Sequence, residues 1–324
     1  MNLLNNALKK TFALHTYFLK KRGNQHSHHI GHSGADTVLL KEPWRELAWH
    51  EEQSVHYSSL FRGGVLVSYF LGFLAVVFAV IPISGLLSES VLHHYAFIFV
   101  LLELAAIIFI MAIYLSGMNN KNNQQGKVFF QNWKGNWQLH RTICEILRYQ
   151  DAIAWLKPDN VIKKYNIPDY VLQLPASPAT DIFRHLENLV DDQVGYNQKR
   201  ARENHYMQHR LHNIAKYSFV LTLVCCLAHF LVHSALLSAL SAILPALGSC
   251  CHGIASTAEY EKIGQQCQQT GLQLADFKQG LHTNKERLLC DDSALRLEVK
   301  QFLEIVLDDR DKWYIFTSSS QLPL

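Results

Sequence analysis

The stretch that decides the fold is GVLVSYFLGFLAVVFAVIPISGLL, residues 64–87, which runs for 24 residues without a charged side chain. About 20 consecutive apolar residues carry an α-helix across a hydrocarbon core, so this stretch predicts a membrane span. Seven residues of turn and interface, SESVLHH, follow it, and Tyr95 to Gly117 is again apolar except for Glu103. That pattern predicts a second span closing a tight helical hairpin. A third apolar region, Tyr217 to Ile254, is too long for one span, since 38 residues of helix measure about 57 Å at 1.5 Å per residue. It must fold back, and its polar point is His233 and Ser234. The expectation is a third span over 217–232 and a fourth over 236–255, the latter kinked near Pro245.

Composition agrees. Over 324 residues the chain is 49 % hydrophobic and 18 % charged, against about 25 % charged in an average soluble domain. Mean hydropathy is zero, and the mean hides a mixture of uncharged apolar runs and dense polar segments. The composition excludes a disordered chain, and four charge-poor stretches near spanning length argue against a soluble bundle. A net charge of +3 excludes bulk attraction to a polyanion such as nucleic acid. The seven cysteines form no CxxC pair and no disulfide framework.

Orientation follows from Lys and Arg. The connections SESVLHH and HSAL contain neither, whereas Arg62, Lys121, Lys127, Lys199, Arg200, Arg202, Arg210, Lys216 and Lys262 lie near the opposite ends of the spans. By the positive-inside rule both termini and the central segment are cytoplasmic in a multi-pass inner-membrane protein. The N-terminal sequence lacks the uninterrupted apolar core and cleavage site of a signal peptide. The expected fold class is an all-α membrane protein with four transmembrane helices in two hairpins and long cytoplasmic helices. Its segments are a polar, basic and His-rich N-terminus (1–42), a helix plus the first hairpin (43–117), a cytoplasmic helical region (118–215), the second hairpin (216–255) and C-terminal cytoplasmic helices (256–324). Within them, one helix is expected over 130–156 with Leu139, Ile143, Ile146, Leu147 and Ile153 on its apolar face. A long polar helix from Thr180 to Lys216 runs into the third span. Two more cover Ser256–Leu281 and Ala294–Tyr314, the second aligning Leu295, Val299, Phe302, Leu303 and Val306.

Glu103, near the middle of the second span, is the foremost polar candidate. An ionisable group there costs roughly 2.5–3.5 kcal/mol on insertion scales and faces protein or water. It could line a pore or relay protons, or as a protonated acid bond to a neighbouring helix. His229 is the other membrane-interior polar residue, and His93, His94 and His233 belong to the short outer side. Gly64, Ser68 and Gly72 repeat at fourfold spacing, as do Ser234, Ser238, Ala242 and Ala246, and such stripes let helices approach closely within one chain or between chains. In the basic run 198–216, Lys199, Arg200, Arg202 and Arg210 are candidates for anionic headgroups or a phosphorylated ligand. The tract QHSHHIGH (25–32) reads as a loop rather than a metal site, and HEEQSVH (50–56) lacks the second zinc-protease His because residue 54 is Ser. With no Walker A, GxSxG or GxGxxG sequence, neither a catalytic residue nor a cofactor or metal site is expected.

Three segments carry a family resemblance. VDDQVGYNQKRARENHYMQHRLHNIAKY (190–217) enters the second hairpin, GIASTAEYEKIGQQCQQTGLQLADF (253–277) leaves it, and VLDDRDKWYIF (306–316) is followed by LPL. Together, through Tyr196, Arg200, Glu259, Tyr260 and Trp313, they resemble bacterial membrane proteins of the SLATT type. These are two-transmembrane effector domains associated with nucleotide-second-messenger and SLOG-type sensor systems. This chain differs in having four spans and no recognisable fused sensor. The resemblance implies a non-enzymatic effector in antiphage or conflict defence, pore-forming or membrane-disrupting and gated by its cytoplasmic helices. It also implies a homo-oligomer in the lipid bilayer and a cytoplasmic sensor protein or a nucleotide second messenger as partner. The alternative is a constitutive scaffold docking a cytoplasmic protein.

Overall fold

A computed structural model describes residues 44–118, 132–157 and 179–319. The tract 25–32, the breaks around Pro158 and in 174–178, and the tail after 319 lie outside the described residues, as do the side chains from 309 onward. Every regular element among the described residues is helical. The helices are α1 (Trp44–Ile83), α2 (Glu89–Ile113, prolonged by a π turn at Tyr114–Met118), α3 (Trp133–Arg148), α4 (Gln150–Leu156), α5 (Ala179–Leu231), α6 (Ala235–Thr257), α7 (Tyr260–Thr283), α8 (Lys285–Cys290) and α9 (Asp292–Ser319).

Four helical stretches are long and apolar enough to cross a membrane: Glu46–Ile83, His94–Gly117, Thr180–Leu231 and Ala235–Thr283. Their most apolar windows are only 11–22 % buried within the chain. Phe97, Phe230 and Leu231 are 70, 81 and 87 % exposed, a surface that a water-soluble protein would hide and a lipid-facing helix displays. Pro82 and Pro245 both lie inside helices that continue through them. The chain turns at Ser84–Ser88, where Gly85 takes φ 75°, and again at His233–Ser234. The two turns are neighbours: a Cβ on Gly85 would sit 3.8 Å from the Cβ of Ala235.

Helix α5 packs along both α6 and α7, and α1 packs against α2, α3 and α6. Small residues set the closest approaches. A Cβ on Gly253 would fall 2.1 Å from the Tyr69 ring, and one on Gly248 would fall 2.9 Å from Phe219. Thus α6 lies tightly against α1 and α5, and Tyr69 Oη and Thr257 Oγ1 share a hydrogen bond of 2.8 Å. Of the stripe predicted in the first span, Gly64 is buried and Ser68 half-buried, while a Cβ on Gly72 would meet nothing within 4 Å. Ser238 and Ala242 of the second stripe are exposed.

Away from the spans the core is that of an ordinary helical protein. Phe302, Leu295 and Val299 of α9 meet Leu274 and Leu281 of α7 and Leu186 of α5, all at most 2 % exposed. The Asp291 carboxylate caps α9 by accepting from the backbone amides of Ser293 at 2.9 Å and Ala294 at 3.2 Å. One helix reading needs correction. The segment 130–156 is two helices broken at Tyr149, and Leu139 is 55 % exposed. The other expected residues lie inward, with Ile146, Leu147 and Ile153 buried, and Trp133, Trp137 and Cys144 join them. The fourth apolar helix does not run on into the next polar one. The chain bends at Glu259, a buried non-glycine residue at φ 57°.

Candidate functional site

Where α1, α3, α5 and α7 leave the apolar zone they enclose a chamber of about 370 Å³, within the roughly 300–1,000 Å³ of small-molecule sites. Each helix supplies one row of side chains at helical spacing. From α3 come Trp137, Arg141 and Glu145, continued by Tyr149; from α1 come Ser54, Ser58 and Arg62. From α5 come Gln193, Tyr196, Asn197, Arg200, Glu203 and Asn204, and from α7 come Tyr260, Ile263, Cys267 and Thr270. The α5 and α7 rows are brought together by Gly264 and Gly271, whose Cβ positions would lie 3.4 Å from the Cβ atoms of Asn204 and Asn197. Larger residues there would pry these two walls apart.

Three guanidinium groups therefore point into one space, against the carboxylates of Glu145 and Glu203. Each arginine lies on an aromatic ring. The Cζ of Arg62 is 5.1 Å from the Trp137 ring centroid, and those of Arg141 and Arg200 are 5.2 and 5.6 Å from that of Tyr196. The Tyr196 hydroxyl also accepts from Arg200 Nε at 3.3 Å. Arg200 reaches Glu203 only loosely, at 3.8 Å.

Glu145 is held more firmly. It pairs with Arg141 and, at 2.9 Å, with Arg148, which reaches on to Glu51 of α1 at 2.6 Å. Burial works to neutralise the Glu145 carboxyl, but Arg141 and Arg148 outweigh burial and hold it below the usual carboxylate range. Burial likewise opposes the charge on Arg141, and Glu145 more than restores it. Neither partner is a proton donor at neutral pH. Burial and the Glu51 carboxylate push the neighbouring Cys144 thiol up to about 12, which removes it as a nucleophile. The chamber is equipped to hold negative charge rather than to move protons.

The amides complete the lining. Gln193, Asn197 and Asn204 are buried, and Asn197 and Asn204 donate to the backbone carbonyls of Gln193 and Arg200 at 2.9 and 2.7 Å. Each of these asparagines thus spends one donor on its own helix and keeps the rest of its side-chain hydrogen-bonding capacity.

Of the candidate basic residues, Arg200 lines the chamber. Lys199 is half-buried beside it, while Arg202 and Arg210 are exposed, Arg210 donating to the Tyr206 hydroxyl at 2.8 Å. Glu103 and His229 line no part of it. Glu103 is half-buried on the face of α2 that carries buried Ala106 and Ile113, and the His229 ring lies 5.6 Å from that of His233. Sequence alone does not single out Arg141 or the amide row, and it offers Arg62 only as a charge at a span end. The signal that could have found them is the period: 137, 141, 145 and 149 repeat every four residues. Among the described residues no cluster of three or more His, Cys, Asp or Glu side chains could hold a metal ion.

The chain matches no family model, no curated protein and no solved structure.

Proposed function

We propose that this protein is a non-enzymatic inner-membrane effector of bacterial conflict defence, in which helices on the cytoplasmic side gate four spans arranged as two hairpins. The observation that carries this reading is continuity. Helix α5 is 53 residues long, about 80 Å at 1.5 Å per residue, where the hydrocarbon core is about 30 Å thick. One rigid element therefore belongs both to the chamber and to the third span. Helix α1, with 40 residues, joins the chamber to the first span in the same way. A shift of Arg62 or Arg200 against α3 moves a transmembrane helix without any hinge between them. Assembly of several copies into a conducting or membrane-disrupting complex is the output, and Glu103 is the carboxylate available to line it.

The test is induced expression with a membrane-potential dye. Depolarisation is expected for the wild type under its trigger or under forced oligomerisation, and its absence under both would sink the reading in favour of a scaffold. Glu103→Gln should reduce conductance while folding survives, because it removes charge and keeps shape. If wild type, Glu103→Gln and Glu103→Leu depolarise equally, Glu103 neither lines the path nor bonds across helices.

A further inference from the structure

The chamber mixes charged and amide groups with aromatic and apolar surface at the level where four helices converge. A cavity of this size and mixed lining suits a small occupant with one charged and one planar apolar part. Three arginines face two glutamates there, which leaves one net positive charge before any ligand enters. Burial first, and the like charge of Arg200 second, work against the charge on Arg62, and an anion between the two guanidinium groups would oppose both.

We propose that the chamber binds a phosphorylated small molecule, with its phosphate between Arg62 and Arg200 and its planar body against the rings of Trp137 and Tyr260. Guanidinium forks match phosphate oxygens two by two. Arg141 is committed to Glu145 and contributes as a backing charge behind Tyr196. The buried amides of Gln193, Asn197 and Asn204 offer donors and acceptors to the neutral part of the ligand. A free phosphate ester and the headgroup of an anionic lipid share this chemistry. This assignment gives the gating reading a trigger and can be tested apart from it, because binding is read on purified protein and gating in cells.

The full chain is purified into phosphatidylcholine nanodiscs and titrated with adenosine 5′-monophosphate, with adenosine as the uncharged probe and orthophosphate as competitor. Saturable binding of the monophosphate, displaced by orthophosphate and absent for adenosine, is expected. Arg62→Gln and Arg200→Gln should each weaken it by about tenfold or more, the worth of a charge-assisted hydrogen bond, while the exposed Arg287→Gln leaves it unchanged. Melting temperature and elution volume establish that each variant folds. If Arg62→Gln does not, Arg62→Lys keeps the charge, removes the fork and should still weaken binding. Nanodiscs containing phosphatidic acid separate the sources: loss of monophosphate binding there assigns the site to a lipid headgroup, and retained binding assigns it to a soluble ester. Equal binding of adenosine, unchanged affinity in both folded glutamine variants, or no saturation by any of these phosphates up to about 1 mM would overturn the proposal and leave a water-filled chamber.

Discussion

The two halves of the molecule are built on opposite rules. In the four apolar stretches the large side chains point outward, with Phe230 81 % exposed, and close internal contacts fall at glycines such as Gly248 and Gly253. In the polar half Phe302, Leu274, Leu288 and Leu295 are fully buried, and charged and amide side chains stand among the groups that line the chamber. The contrast separates two driving forces. Water drives apolar side chains together in the polar half, whereas lipid tails are as apolar as leucine and give helices no such reason to associate. There, close van der Waals fit must do the work.

The sharpest way to break this comparison is to delete a ring from each half. Phe302→Ala empties a buried site between α7, α9 and Tyr149 and should cost about 3–5 kcal/mol. Phe230→Ala removes a ring that touches little and should leave the melting temperature unchanged. Thermal unfolding in nanodiscs reads both, and equal losses would show that the span exteriors are packed in a larger assembly.

Next in size is the buried carboxylate. Glu145→Gln leaves Arg141 without its counter-charge, and breaking a buried pair costs about 3–5 kcal/mol. The loss should fall near 3, because Arg148 keeps Glu51 at 2.6 Å. A loss under 1 kcal/mol by the same measurement would mean that water reaches the pair freely.

These two halves were not equally legible. The four long apolar helices could be read because each lies within one stretch of sequence: 64–87 and 217–255 announce themselves by the absence of charge, and the turn at His233 by its polarity. The apolar row of α9 was legible for the same reason, since 295, 299, 302 and 306 share a helical face. The chamber was not, because its arginines sit at 62, 141 and 200, and only tertiary packing makes them neighbours. The break at Tyr149 has no Gly or Pro to mark it. The bend at Glu259 puts a charged residue in a backbone conformation that favours glycine, so propensity pointed the wrong way.

A smaller effect tests close fit within the apolar half itself. Gly253→Ala would place a methyl group 2.1 Å from the Tyr69 ring, and overpacking of this kind costs about 1–3 kcal/mol. Gly72→Ala meets open space and exchanges a poor helix former for the best one, so it should be neutral or gain up to about 1 kcal/mol. Parallel melts of the two variants decide. A destabilising Gly72→Ala would point to a helix of another copy packed on that face.

The smallest expected effect lies where the polar half meets water. His50 of α1 and His140 of α3 join their Nδ1 atoms at 2.9 Å, and the Tyr57 ring stacks on His140 at 5.7 Å. With both rings neutral, one N–H donates and the other nitrogen accepts; with both protonated, two donors oppose each other. Burial first, and the charge of His50 second, hold His140 below the ordinary histidine range. The unfolded chain therefore takes up a proton more readily than the folded one. The stabilisation from His140 is fully present above about pH 6.5, the unfolded value, and is lost as pH falls through the lower folded value. Its size is that of one hydrogen bond, about 1 kcal/mol. Acidification from neutral pH should accelerate amide exchange in the polar part of α1 and in α3. His140→Gln keeps hydrogen-bonding capacity without its own titration and should reduce that acceleration, leaving the part that belongs to His50. If the variant accelerates as much as the wild type, the acid sensitivity of this contact belongs to other groups.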